Sequence, residues 1–215
     1  MNTNGRYVIT IAKELGSGGR TVGSKLAERL GVKFYDKAVI DGLIDHFHLT
    51  TSEIEKIKGK EKNWFDDFST YASFITMAPR PEMFIAPQVI NDYHIPTSDE
   101  LFQCEKEILL GIAETESCVI AGRSGFLVLK DHPNMTSIYI GASKEKRIKR
   151  VMEKRSVSAE EAEEIIATVD KSRENFVKRY SGASRYDLRN YDLVLSMDSL
   201  SEDDAVECIM RFLGA

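Results

Sequence analysis

Short apolar runs alternate along the chain with longer amphipathic stretches. The runs Tyr7–Ala12, Val32–Tyr35, Cys118–Ala121, Thr136–Ile140 and Leu193–Ser196 predict β-strands of the kind buried on both faces of a parallel sheet. The stretches between them predict helices, and their ends carry cap signals. Thr50-x-x-Glu53, Thr97-x-x-Glu100 and Ser158-x-x-Glu161 are capping boxes, while Gly31 closes the first helix. Alternation of this type implies right-handed crossovers and a sheet flanked by helices, with ligands at the carboxyl ends of the strands.

One segment breaks the rhythm. Four of the five prolines (Pro79, Pro81, Pro87, Pro96) and the aromatics Trp64, Phe65, Phe68, Tyr71, Phe74, Phe84 and Tyr93 fall between Gly59 and Pro96. Proline stops long helices and the aromatics demand burial, which predicts an insertion of short helices and loops. It serves as a satellite core, a homodimer contact or a nucleobase pocket.

The first strand leads into Gly16-Ser17-Gly18-Gly19-Arg20-Thr21 and then an amphipathic helix. Such a loop aims backbone N–H groups into one concavity, and the helix adds its unpaired donors and the positive end of its dipole. This is phosphate-binding architecture. The consensus loop ends in a lysine and a magnesium-binding hydroxyl. Anchored on the strand and on Leu26-Ala27, the frame puts Gly19 at the lysine position, with Arg20 as a substitute cation and Thr21 as the hydroxyl.

Charge sharpens the picture further. The net charge of −5 argues against nucleic acid as a partner. No apolar run approaches the ~20 residues of a membrane span, and the absence of a signal segment leads us to expect a cytoplasmic protein. Cys104, Cys118 and Cys208 have no metal-ligand spacing and read as reduced packing residues. Against this acidic background, residues 144–155 hold seven basic residues opposed only by Glu145 and Glu153. Arg147, Arg150 and Lys154 share a helical face and suit a polyphosphate; the alternative is a solvated face. Asp36 closes the second strand, as an acceptor-orienting or magnesium-directed carboxylate or as an N-cap. Gly122-Arg123 follows the third strand and puts a guanidinium beside the same cleft.

Ile9-Thr-Ile, the Gly16–Thr21 loop, Phe34-Tyr-Asp-Lys37, Ala121-Gly-Arg123, the Arg147 helix and Tyr191-Asp-Leu-Val-Leu195 together resemble the cytidylate kinase-like family, a divergent branch of the P-loop nucleoside monophosphate kinases. The resemblance implies a single three-layer α/β domain of the P-loop NTPase type with a five-stranded parallel sheet. Its core would be 1–58, 97–142 and 185–215, with a helical acceptor-binding insertion at 59–96 and an arginine-bearing lid at 143–184. It implies ATP and Mg2+ as cofactors. Gly16, Ser17, Gly18, Gly19, Arg20 and Thr21 would surround the ATP phosphates, Arg123 would contact the acceptor phosphate, and Arg147, Arg150, Arg173 and Arg179 would be lid residues.

The chain departs from authentic cytidylate kinases at Gly19, at Ala121 and at Lys37–Gly42, where those enzymes carry a lysine, an aspartate and a Ser-Gly-Ala-x-Tyr-Arg sequence. The acceptor is therefore left open among CMP, another nucleotide and another small metabolite. A noncatalytic nucleotide sensor is the reading from a different class.

Overall fold

The computed structural model describes residues 5–36 and 98–215. Its strands are β1 (Val8–Lys13), β2 (Lys33–Asp36), β3 (Cys118–Ala121), β4 (Met135–Gly141) and β5 (Leu193–Ser196). They form one parallel sheet in the order β2-β3-β1-β4-β5. The helices are α1 (Gly19–Leu30), α2 (Ser98–Thr115), α3 (Gly125–Val128), α4 (Lys144–Arg155), α5 (Ala159–Ser181) and α6 (Glu202–Leu213). The proline- and aromatic-rich insertion and the capping boxes at Thr50 and Thr97 lie outside the described residues.

Each predicted strand is found within one residue of its expected ends. The small shift at the first strand matters, because it makes Lys13 the last residue of β1. Side chains alternate across the sheet. Ile9, Ile11, Ile138 and Ile140 bury themselves under α1 and α6 with Val22, Leu26, Val206 and Ile209. Residues of the other faces and helices, including Val8, Ile108, Leu109, Ile112 and Leu129, are also almost fully buried. Two covered faces explain why the central strands are apolar without interruption.

Caps fix where the helices stop and start. Gly31 adopts the left-handed conformation at the end of α1. The Ser158–Glu161 capping box is present at α5, and a second one, Ser201 with Asp204, opens α6. Helices α4 and α5 form a hairpin around Val151, Ala162 and Ile166, and Leu15 of the glycine loop packs into that small core. Cys118 is a buried free thiol, whereas Cys208 is exposed and so is not the packing residue the sequence suggested. No helix among the described residues is long and apolar enough to cross a membrane.

Candidate active site

The loop between β1 and α1 turns on two glycines in the left-handed region, Gly16 (φ 84°) and Gly18 (φ 87°). A side chain at Gly16 would also collide with α4, since its Cβ would sit 2.7 Å from the Arg147 carbonyl oxygen. Ser17 is buried and donates its hydroxyl to the Glu14 carbonyl at 3.0 Å. Gly18 is the N-cap of α1, and no side chain caps that end. The first-turn N–H groups therefore face the cleft as anion donors.

Two clefts meet above the sheet's carboxyl edge. The first, about 510 Å³, is lined by Lys13, Gly16, Gly18, Gly19, Arg20, Thr21, Asp36, Arg150 and Arg173, among others. The second, about 600 Å³, has Arg123, Ser124, Phe126, Ser172, Phe176 and Arg185 in its wall. Lys13, Leu15, Arg155 and Arg173 line both.

The sequence-predicted residues take different places in this arrangement. Arg20 and Asp36, two separate candidates, meet each other: the Arg20 Nε donates to the Asp36 carboxylate, with Asp36 buried and Arg20 largely exposed. Arg150 reaches over the loop, donating to the Thr21 hydroxyl at 3.2 Å and to Glu202. Arg147 is only 7% exposed and turns inward. Its guanidinium donates to the Leu15 carbonyl at 2.8 Å, to Glu14 at 3.1 Å and to Asp170, bracing the loop against α4 and α5. Arg173 donates to the Lys13 carbonyl at 3.1 Å. Arg123 pairs with Glu105 in the wall of the second cleft. Arg179 lines neither cleft and lies 5.6 Å over the Tyr180 ring.

Four participants are not singled out by the sequence pattern. Asp170 accepts from the Leu15 amide at 3.2 Å as well as from Arg147 and Arg173. Glu14 accepts from the Ala142 amide at 3.2 Å. Arg185 sits in a stretch that reads as a polar turn, yet it is 4% exposed and donates to the Lys13 carbonyl at 2.7 Å. Its Nη1 is buried and has no hydrogen-bond partner among the described residues. Lys13 donates to the Ala121 carbonyl at 3.2 Å. Burial, helped by the neighbouring Arg173, pushes its ammonium down to about 8. Its place at the carboxyl end of a strand was the available clue.

Gly122, Arg123 and Ser124 are three consecutive residues in the left-handed region, with φ of 92°, 53° and 52°. Each non-glycine member costs about 1–2 kcal/mol. That strain turns the chain after β3 so that Arg123 and Ser124 border the second cleft.

A parallel sheet of order 2-3-1-4-5, with a glycine loop leading from its central strand into a helix, is the P-loop kinase type of fold. Within that class the chain belongs to the cytidylate kinase-like family, whose family model matches residues 8–199. An uncharacterized protein from Eubacterium ventriosum is similar in structure (24% identity, 98% of this chain and 99% of that chain covered, TM-score 0.67). So is shikimate kinase from Bacteroides thetaiotaomicron (13% identity, 97% and 99% covered, TM-score 0.53). A sugar kinase from a Janibacter species is similar as well (14% identity, 98% and 95% covered, TM-score 0.50). No curated protein matches the chain in sequence. Family and fold are those of nucleotide-binding phosphotransferases.

Magnesium, which this family implies, fits the residues present. Such an ion keeps several waters and takes one or two protein oxygens beside the nucleotide phosphates. Thr21 and Asp36, whose side chains carry such oxygens, both line the first cleft.

Proposed function

We propose that the protein transfers the γ-phosphoryl group of ATP to a nucleotide, CMP among the candidates, or to another small metabolite. The observation that carries this reading is the pair of clefts joined at a cationic wall. One lies over an uncapped helix N-terminus and glycine loop, and the other has an apolar, aromatic side and several cations. Donor phosphates in the first cleft would point toward an acceptor in the second.

Phosphoryl transfer asks little covalent chemistry of a protein, and positioning with charge neutralisation does most of the catalysis. The loop and first-turn amides hold the donor phosphates. Arg150 stands over the same loop, and Arg173 stands where the two clefts join, so both can neutralise charge on the transferring group. Thr21 and Asp36 would hold magnesium, which supplies further neutralisation of the phosphates. Arg123, Arg173 and Arg185 make the second cleft suited to an acceptor that carries an anionic group.

A panel of nucleoside monophosphates, CMP included, and of small hydroxylated acids and sugars, assayed for ADP formation from ATP and magnesium, tests the reading. We expect turnover with one chemical class. ATP-induced thermal stabilisation without ADP formation on every acceptor would instead make the protein a nucleotide sensor.

A further inference from the structure

The consensus phosphate loop reads G-x-x-x-x-G-K-[ST]. In the frame that ends at Gly18-Gly19, this chain reads Lys13-Glu14-Leu15-Gly16-Ser17-Gly18-Gly19-Arg20. Lysine stands at the first position, where the consensus has glycine, and glycine stands at the seventh, where it has lysine. The two residues have traded places.

In the folded chain those two positions touch. A Cβ built at Gly19 would lie 2.8 Å from the Lys13 Cβ and 3.3 Å from its Cδ, with the Ile140 Cβ also at 3.3 Å. Real Cβ atoms do not approach other carbons so closely, so this corner has room for one of the two side chains only. A lysine at 13 requires a glycine at 19. The bare Gly19 is thus the space through which the Lys13 stem leaves β1.

We propose that Lys13, entering from the last residue of β1, supplies the cation that the phosphate loop lacks at Gly19 and grips the β- and γ-phosphates of the donor. The proposal rests on the phosphotransferase reading above. Lys13 borders both clefts, as a group that accompanies the moving phosphoryl must. One hydrogen bond, to the Ala121 carbonyl, employs one of its three N–H donors, and it forms no ion pair among the described residues. Arg173 and Arg185 both donate to its backbone carbonyl, which anchors the root of the side chain. Arg20, the other candidate, spends its guanidinium on Asp36. A partly buried ammonium among guanidinium groups is costly until an anion joins it, and a polyphosphate is such an anion.

The test is titration calorimetry of the full chain with ATP, ADP and AMP, with circular dichroism to confirm folding. Lys13→Met keeps the stem and removes the charge. It should weaken ATP binding by about 10- to 100-fold while AMP binding changes by less than about threefold. The double variant Lys13→Gly/Gly19→Lys restores the consensus residues at the two exchanged positions and should regain most of the lost ATP affinity, whereas Gly19→Lys alone crowds the corner and should not gain any. Unchanged ATP affinity in folded Lys13→Met, or equal losses for ATP and AMP, would overturn the assignment. A folded double variant without recovery would overturn the exchange, and if that variant does not fold, Lys13→Met decides. Failure of the unaltered chain to bind ATP would instead overturn the phosphotransferase reading itself.

Discussion

Lys13 makes the site sensitive to pH in a defined direction. In the folded chain its ammonium releases its proton near pH 8, against 10.5 for an unperturbed lysine. Arg173, Arg185 and Arg20 oppose its charge and Asp36 supports it. Below about pH 8 both folded and unfolded chains hold the proton, and the folded chain bears the cost of a buried charge. Between 8 and 10.5 the unfolded chain holds more protons, so the stability linked to this group rises with pH. Lys13→Met should therefore stabilise the ligand-free protein at pH 7, with an advantage that vanishes toward pH 10.5. Comparative thermal melts at the two pH values check this. ATP affinity should run the opposite way, falling by up to about tenfold per pH unit above 8 as the ammonium is lost, and Lys13→Met should flatten that profile. Arg147 offers a second test. Its removal by Arg147→Met takes the cation from Glu14 and leaves Asp170 with Arg173 alone, both in poorly exposed positions. A broken buried pair costs about 3–5 kcal/mol, which urea denaturation can measure.

Among the elements, α1 is held to the sheet through a glycine that helix propensity alone would disfavour. Gly23 lies inside the helix, where alanine would gain about 1 kcal/mol. Here its absent Cβ would sit 2.9 Å from the Phe34 ring and 3.1 Å from the Ile11 Cδ1. Overpacking of that kind costs about 1–3 kcal/mol, so Gly23→Ala should lower stability in a denaturant titration, and a rise would show that the ring yields freely. The strands and their order of occurrence were legible in the sequence because buried parallel strands are apolar runs, and the Ser158 cap was legible because its partner is three residues away. The polar brace was not. Asp170 meets the Leu15 amide across 155 residues, and Arg185 meets Lys13 across 172. No local spacing encodes such pairs. The frame of the loop placed Arg20 near the phosphates, but only the packing reveals that Asp36 takes up its guanidinium and that a strand residue fills the space at Gly19.

At the scale of the whole molecule, the loop and the α4–α5 hairpin are mechanically coupled. Leu15 packs into the core of that hairpin, and Arg147 ties the loop to both of its helices through Asp170. A ligand that orders the loop must therefore be felt in the hairpin. ATP with magnesium should slow amide hydrogen exchange in residues 144–181 more than in 193–213, and equal protection of the two segments would show the loop and the hairpin to be uncoupled. The same ties bear on how the chain comes into being. The Lys13 carbonyl is made long before the guanidinium groups it accepts from, which lie 160 and 172 residues later. The strands that flank β1, β3 and β4, also come after a long interval. A ribosome-bound chain thus carries a finished glycine loop that has no walls around it, and the nucleotide site can close only after Arg185 has emerged.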